Sequence, residues 1–218
     1  GKFFDGSPFA PDERGYWDRF VKDGDLHAAE VLRMRLTPPD ITFDDRMRIY
    51  LGDRVIELLF LGKGNTKGDA MMYLPAEKIL ATGDVVVAPV PYAFNAYPES
   101  WIGVLKRIKA MDIDVLVPGH GAFQRDKAYV ALMIDALETV RRQVGPLAAE
   151  GKTAAEIYPQ IDYSAVEPRF TNGDAVAARL FEMFFKHPVV AAELNVLRGI
   201  DGEKLTADPP PEGAAKGG

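Results

Sequence analysis

Four apolar runs between Val55 and Val117 are rich in β-branched and aromatic residues, a composition that predicts strands: Val55–Leu61, Ala70–Leu74, Lys78–Val87 and Ile113–Val117. The glycine-containing loops of this stretch carry three polar residues able to bind a metal, Asn65, Asp84 and His120. Glycine allows the tight turns and close backbone approach that such loops need. Because loops on a rigid sheet commonly carry the chemistry of a protein, we expect the three side chains to converge at one edge of the sheet.

These residues resemble the metallo-β-lactamase superfamily of metal-dependent hydrolases, over roughly residues 46–121. The loop Gly64–Asp69 matches the family's G-H-T-x-G-D, except that Asn65 stands at the histidine position. Asp84, in T-G-D, matches the aspartate that bridges two metals, and His120, in P-G-H-G, matches a later histidine ligand. The family's H-x-H-x-D-H motif is absent, since the only histidines are His27, His120 and His187.

The resemblance implies an α/β (α+β) fold, the αββα sandwich of the family. We expect this chain to hold the later half of that fold, without its N-terminal part and with extra C-terminal helices. The predicted organisation is an αββα part over residues 1–124, a helical extension packed on it over 125–205, and a disordered tail over 206–218.

The resemblance also implies a metal-dependent hydrolase acting on a small molecule, in which Asp84 and His120 are catalytic residues and zinc ligands. The substrate class stays open among esters, lactones, lactams, thioesters and phosphodiesters. Two protein ligands are fewer than the three of a catalytic zinc site, and the amide oxygen of Asn65 suits zinc less well than an imidazole. We therefore expect this chain alone to bind zinc weakly or not at all. The alternatives are a metal-free binding or interaction module and an associating truncated fragment.

The loop Pro89–Pro98 contains Tyr92, Phe94 and Tyr97, which are candidate substrate-binding residues on the side of Asp84. An aromatic plug on the core explains the same residues equally well. The next aromatic residue, Trp101, lies on the apolar face of a predicted helix and is expected in the core.

Other polar residues have simpler interpretations. Lys63 and Lys67 could attract an anionic group or could be solvated. His27 and His187 are expected to be structural, because nothing beside them has metal-ligand spacing. Glu57 is predicted to lie on the exposed face of its strand.

Before the four apolar runs, the patterns predict a helix over Asp12–Leu36 with a break near Gly24, strands at Ile41–Asp45 and Met47–Tyr50, and a hairpin turn at Gly52-Asp53. After them, they predict a helix that ends at Gly145-Pro146, with an apolar stripe formed by Val130, Met133, Leu137, Val140 and Val144, and a capping box at Thr153–Glu156. A last helix is predicted after Gly173-Asp174, interrupted at Pro188, and its apolar side carries Val176, Leu180, Met183 and Phe184.

Composition restricts the partners. The net charge of −6 argues against nucleic acid, and the absence of cysteine excludes disulfides and thiolate metal sites. No apolar run approaches the ~20 residues of a membrane span. The compartment is not assigned by these observations.

Val55–Leu61 and Val85–Val87 are apolar on successive residues, which is typical of strands covered on both faces. The second cover is expected to be another copy of the chain, as a homo-oligomer, or a complementing N-terminal segment.

Overall fold

The computed structural model describes residues 22–35 and 37–200, and it divides into two compact units, Gly1–Phe43 and Asp44–Gly218. In the first unit, helix α1 spans Gly24–Val31. It lies within the predicted helix and begins at the predicted break, and its His27 is exposed. The predictions for residues 1–21 and for the tail after residue 205 lie outside the described residues.

The second unit contains a sheet of five strands in the order β1-β2-β3-β4-β5: β1 Arg46–Leu51, β2 Arg54–Leu59, β3 Met71–Leu74, β4 Ile79–Val87 and β5 Val115–His120. The pairs β1–β2, β2–β3 and β3–β4 are antiparallel, and the pair β4–β5 is parallel. The β1–β2 hairpin turns through two residues, because Leu51 pairs with Arg54 and Gly52 adopts a φ of 61°.

The helices of this unit are α2 Pro98–Ala110, α3 Ala128–Ala149, α4 Ala154–Ile157, α5 Glu167–Thr171, α6 Ala175–Phe181 and α7 His187–Leu197. A 3₁₀ segment, Tyr158–Gln160, follows α4. A segment of π-helix, Glu182–Lys186, joins α6 to α7 and is called the π turn below. The predicted α+β class is confirmed, whereas the boundary near residue 124 stays a prediction. No helix in the described ranges is long and apolar enough to cross a bilayer.

One hydrophobic core lies between the sheet and the helices. Met71, Leu80 and Leu116 of the sheet pack there against α2, α3 and α7. All five residues of the α3 stripe are buried as predicted. Trp101 has no exposed surface, and its Nε1 donates to the carbonyl of Val85 at 3.0 Å. The predicted capping box at Thr153 is confirmed.

Three predictions about these elements are wrong. Ile41–Asp45 forms no strand. Gly145-Pro146 does not end α3, which continues to Ala149. A proline removes one helical hydrogen bond, but the buried Val144 and the packing of Leu147 on the core hold this last turn in place.

The third wrong prediction concerns the buried side of α6. Val176 is 67% exposed, and the fully buried residues are Phe181, at the end of α6, and Phe185, in the π turn that follows. The carboxylate of Asp174 accepts from the backbone N–H of Ala177 at 2.8 Å. That cap sets where the helix begins, but the side that faces the core is decided by the packing of Phe181 and Phe185.

Glu57 was expected on an exposed face and is instead buried, with 8% of its surface exposed. It lies opposite Arg48 in the β1–β2 ladder, and the Arg48 Nε donates to its Oε1 at 2.8 Å. Arg46 lies 3.7 Å from the same oxygen. The two arginines cover the carboxylate, and the hydrogen bond to Glu57 together with its negative charge raises the pKa of Arg48.

The opposite face of the sheet, called the outer face below, carries apolar residues on all five strands. Directly paired residues lie on the same face of a sheet, which defines its apolar members: Met47, Ile49, Leu51, Ile56, Leu58, Met72, Leu74, Ile79, Ala81, Val115 and Val117. Arg54, opposite Leu51 at the hairpin end, is a charged member of the same face and pairs with Glu77 at 2.7 Å. None of them belongs to the core beneath the helices. Ile49, Met72 and Val117 are 41%, 40% and 39% exposed.

Candidate functional site

Asp84 and His120 meet where β4 and β5 run side by side. Since these strands are parallel, their C-terminal ends lie at the same edge of the sheet. The His120 Nε2 lies 3.6 Å from the Asp84 Oδ1, and the two side chains are 55% and 43% exposed. The structure therefore brings together two of the three residues expected to converge, at a solvent-accessible edge.

Two glycines flanking His120 make this approach sterically feasible. A Cβ on Gly119 would lie 2.0 Å from the Asp84 Oδ1 and 2.9 Å from the Asp84 backbone nitrogen. Gly121 has a φ of 89°, and a Cβ there would lie 2.7 Å from the carbonyl oxygen of Ala88. Ala88 also donates its N–H to the carbonyl of His120 at 3.1 Å. The P-G-H-G sequence thus has a local physical reason.

The loop carrying Asn65 is held separately. Both the N–H and the hydroxyl of Thr66 donate to the Asp69 carboxylate, and the Gly64 carbonyl accepts from the N–H of Tyr97 at 2.9 Å. Among the hydrogen bonds described for residues 44–200, none joins Asn65 to Asp84 or His120. The inclusion of Asn65 in the site stays a prediction.

The aromatic loop divides between these two places. The Tyr92 ring lies 5.3 Å from the imidazole of His120, between ring centroids. Phe94 is linked to Tyr92 through Phe184 of the π turn, with centroid distances of 5.5 Å and 4.7 Å. Tyr97 lies instead beneath Lys63, whose Nζ is 4.8 Å from the ring centroid. The sequence pattern predicts Phe184 on the apolar side of a helix, but no motif or spacing in the sequence indicates its contact with Tyr92.

A cleft of about 470 Å³ lies beside His120, lined by Ala88, Pro89, Gly121, Phe123, Arg125 and Tyr129, among others. The Tyr129 hydroxyl donates to the carbonyl of Val87 at 2.6 Å, and burial raises the pKa of this phenol. Tyr129 is thus a neutral structural residue of the cleft wall. The volume is within the ~300–1,000 Å³ typical of small-molecule sites.

The Asp84–His120 pair fits half of a zinc site. Zinc bonds of about 2.0–2.2 Å at a tetrahedral angle separate an oxygen and a nitrogen ligand by roughly 3.3 Å, close to the observed 3.6 Å. In the part of the chain that the structure describes, however, no group of three or more histidine, aspartate and glutamate residues is placed to hold a metal. The described residues do not complete the site.

His187 lies in a different environment from His120. Its ring stacks on Tyr158, with centroids 3.6 Å apart and planes inclined by 20°, and its Nε2 lies 3.5 Å from the Glu182 Oε1. These contacts support the structural interpretation of His187.

Comparison with known proteins confirms the family resemblance of the sequence. A sequence profile of the metallo-beta-lactamase superfamily matches residues 6–120. The 2,4-dinitroanisole O-demethylase subunit alpha of Nocardioides sp. (strain JS1661) is 29% identical over 123 residues, covering 50% of this chain and 37% of that protein. This chain thus spans well under half the length of that relative.

Two solved structures are similar. The sec-alkylsulfatase Pisa1 from Pseudomonas sp. is 18% identical, with a TM-score of 0.58, and the match covers 81% of this chain and 29% of that one. A metallo-beta-lactamase from Pontibacter korlensis is 25% identical, with a TM-score of 0.44, over 56% of this chain and 62% of that one. The first of these likenesses concerns the fold alone.

Proposed function

Because this chain belongs to the metallo-β-lactamase superfamily, we propose that Asp84 and His120 are metal ligands in the site of a metal-dependent hydrolase. The observation that supports this most directly is the 3.6 Å separation of the Asp84 Oδ1 and the His120 Nε2 at the sheet edge. A zinc ion bound there would lower the pKa of a bound water and polarise the scissile group.

The protein's own contribution is orientation. Tyr92 packs against the imidazole, and the Ala88 N–H holds the backbone of His120. Gly119 leaves room for the Asp84 carboxylate. These contacts pre-position one nitrogen and one oxygen donor, which is what a metal ligand pair requires of its surroundings.

The site needs further ligands, because a catalytic zinc site has three protein ligands and the described residues provide no such group. They would come from residues other than those the structure describes. Weak zinc binding by this chain alone stays the expected result. The same shortage of ligands favours the second candidate function, a metal-free binding module that has kept the fold.

The substrate classes are esters, lactones, lactams, thioesters and phosphodiesters. The relative from Nocardioides is named for its action on 2,4-dinitroanisole, an aromatic ether, so we add aryl ethers to this set. The tyrosine and phenylalanine rings near His120 support an aromatic substrate.

The chain's three histidines make the ligand assignment directly testable. Zinc is titrated into ¹⁵N-labelled protein while the imidazole resonances of His27, His120 and His187 are followed. We expect the His120 signals alone to shift at low zinc, and Asp84→Asn to weaken this response at least about 10-fold, the low end for losing a supporting group of a metal site. Zinc-dependent hydrolysis of 4-nitrophenyl acetate is measured on the same samples.

His187→Ala is the matched control, because His187 also lies beside a carboxylate, that of Glu182. It should leave the zinc response of His120 unchanged. An equal response of all three histidines, or an Asp84→Asn variant that binds as the wild type does, would refute the ligand pair. Zinc binding without zinc-dependent hydrolysis would favour the binding module.

A further inference from the structure

The carbonyl of Phe184, in the π turn, lacks the donor that an α-helix would give it. In an α-helix, the carbonyl of Phe184 would accept a hydrogen bond from the N–H of residue 188. That residue is Pro188, which has no N–H. Short segments of π-helix inside helices are frequent at functional sites.

The carbonyl is satisfied from the loop beside the candidate site. The N–H of Ala93 donates to the Phe184 carbonyl at 2.9 Å, and Ala93 is completely buried. This bond attaches the Pro89–Pro98 loop to the helical part of the chain at the residue that follows Tyr92. The loop thus anchors on a carbonyl whose α-helical donor position is occupied by a proline.

Side-chain contacts reinforce the same anchor. Phe184 packs on Tyr92 and on Phe94, with centroids 4.7 Å and 5.5 Å apart, and Tyr92 in turn contacts the ring of His120. Phe94 is 47% exposed, whereas Tyr92 and Phe184 are half-buried. The three rings form a partly exposed aromatic wall that starts at the imidazole.

The π turn itself is firmly held, so this wall is pre-organised. The Lys186 Nζ pairs with Glu167 at 2.6 Å and with Glu182 at 3.0 Å. The hydroxyl of Tyr163 donates to the carbonyl of Lys186 at 3.2 Å. A wall whose backbone is held at several points loses little freedom on binding, which favours affinity.

We propose that Tyr92, Phe94 and Phe184 form a binding site for a planar apolar group of the substrate, and that Pro188 is a positioning residue for this wall. The proposal rests on the proposed function for the location of the reaction, but not for the binding itself. Phe184 is then a specificity-determining residue contributed by the helical part of the chain. The ligand class is an aromatic or similarly flat apolar group placed next to His120.

The first test uses 2-naphthol as the probe, with binding followed by the shifts of the His120 imidazole and of the aromatic ring signals. Phe184→Ala should weaken binding by about 2- to 10-fold, the range of an aromatic pair contact. Phe184→Leu retains apolar volume without the ring and should also bind more weakly than the wild type. Tyr50→Ala, at an equally aromatic but 70% exposed position on β1, is the matched control and should bind as the wild type does.

The second test measures hydrogen exchange at the Ala93 amide in Pro188→Ala. The new N–H can donate to the Phe184 carbonyl and compete with Ala93, so exchange should accelerate by about 5-fold, the weight of one net hydrogen bond. Probe binding should weaken in parallel. Circular dichroism and tryptophan fluorescence establish that each variant is folded.

Unchanged exchange at Ala93 in folded Pro188→Ala would overturn the positioning role. Equal probe affinity in the wild type, Phe184→Ala and Phe184→Leu would overturn the aromatic site. Neither measurement involves metal or hydrolysis, so both can still support or refute the aromatic site if the proposed hydrolase function is wrong. Conversely, a loss of the aromatic site would leave the zinc response of His120 as it is.

Discussion

The outer face of the sheet predicts that the purified chain associates with itself. Its apolar rows run across all five strands, and Ile49, Met72 and Val117 remain about two-fifths exposed. Contiguous apolar surface on this scale is typical of an interaction site. In a solution of the pure chain, the same face of a second copy can supply the cover.

The expected strength follows from the exposed fractions. Complete burial of such a side chain is worth about 1.5–3 kcal/mol, so covering the remaining two-fifths of three side chains contributes roughly 2–4 kcal/mol. In a symmetric pair both copies are covered, which doubles the stabilisation to about 4–7 kcal/mol. The free-energy cost of the lost translational and rotational freedom on association begins at about 4 kcal/mol, so the two are comparable. We therefore expect reversible association that depends on protein concentration.

Met72→Lys is the perturbation, because Met72 lies in the middle strand of the sheet, directly opposite Ala81. In the free chain, the lysine can extend its charge into water, so folding should be unaffected. In a face-to-face pair, the charge would be buried at a cost of several kcal/mol. Light scattering between about 10 µM and 1 mM, the range for such weak complexes, should show rising mass for the wild type only.

Met34→Lys is the matched control, since Met34 is 74% exposed and lies in the other compact unit. It should associate as the wild type does. A wild-type mass of 24.0 kDa at every concentration, indistinguishable from that of Met72→Lys, would refute the reasoning. It would mean that a face of this composition is stable in water.

Two further predictions concern the sheet edge and the helical layer. Gly119→Ala should disturb the Asp84 carboxylate and weaken the zinc response of His120. Gly103→Ala, in α2 with open space around its Cβ position, is the control and should raise the free energy of unfolding by about 0.5–1 kcal/mol. Equal zinc responses of His120 in the two variants would contradict this prediction. Arg141→Met should cost about 3–5 kcal/mol near neutral pH, because it leaves the 1% exposed Glu193 without its 3.0 Å partner. Burial raises the pKa of Glu193 above its ordinary 4.5. The folded protein therefore loses stability as the pH rises from about 4.5 through this raised pKa, because the unfolded chain ionises Glu193 more readily than the folded protein does. Urea unfolding should therefore show a smaller cost of Arg141→Met at pH 5 than at pH 7, and equal costs would show that Glu193 is not the cause.

Local sequence patterns determined the elements that depend on neighbouring residues. The apolar runs predicted β2, β3 and β4, and Gly52-Asp53 predicted the hairpin. The capping box at Thr153 and the buried stripe of α3 follow from contacts three and four residues apart. Such features are visible in a sequence because their energetics are local.

The pairing of Asp84 with His120 lies between local and tertiary information. The motif resemblance predicted that both side chains reach one edge, and the parallel β4–β5 pairing places them 3.6 Å apart. Asn65 shows the limit of this reasoning, because its loop is anchored to Tyr97 and to the Asp69 carboxylate, by contacts that its motif does not specify.

Only the tertiary structure decided the positions whose environment is supplied by distant parts of the chain. Glu57 is buried because two arginines on the neighbouring strand cover it, and α3 passes through Pro146 because its last turn packs on the core. The carbonyl of Phe184 accepts a hydrogen bond from Ala93, which lies 91 positions earlier in the chain (184 − 93), and the Phe184 ring packs on Tyr92. Periodicity records which side chains are apolar, but the partner that covers each of them is chosen by long-range packing.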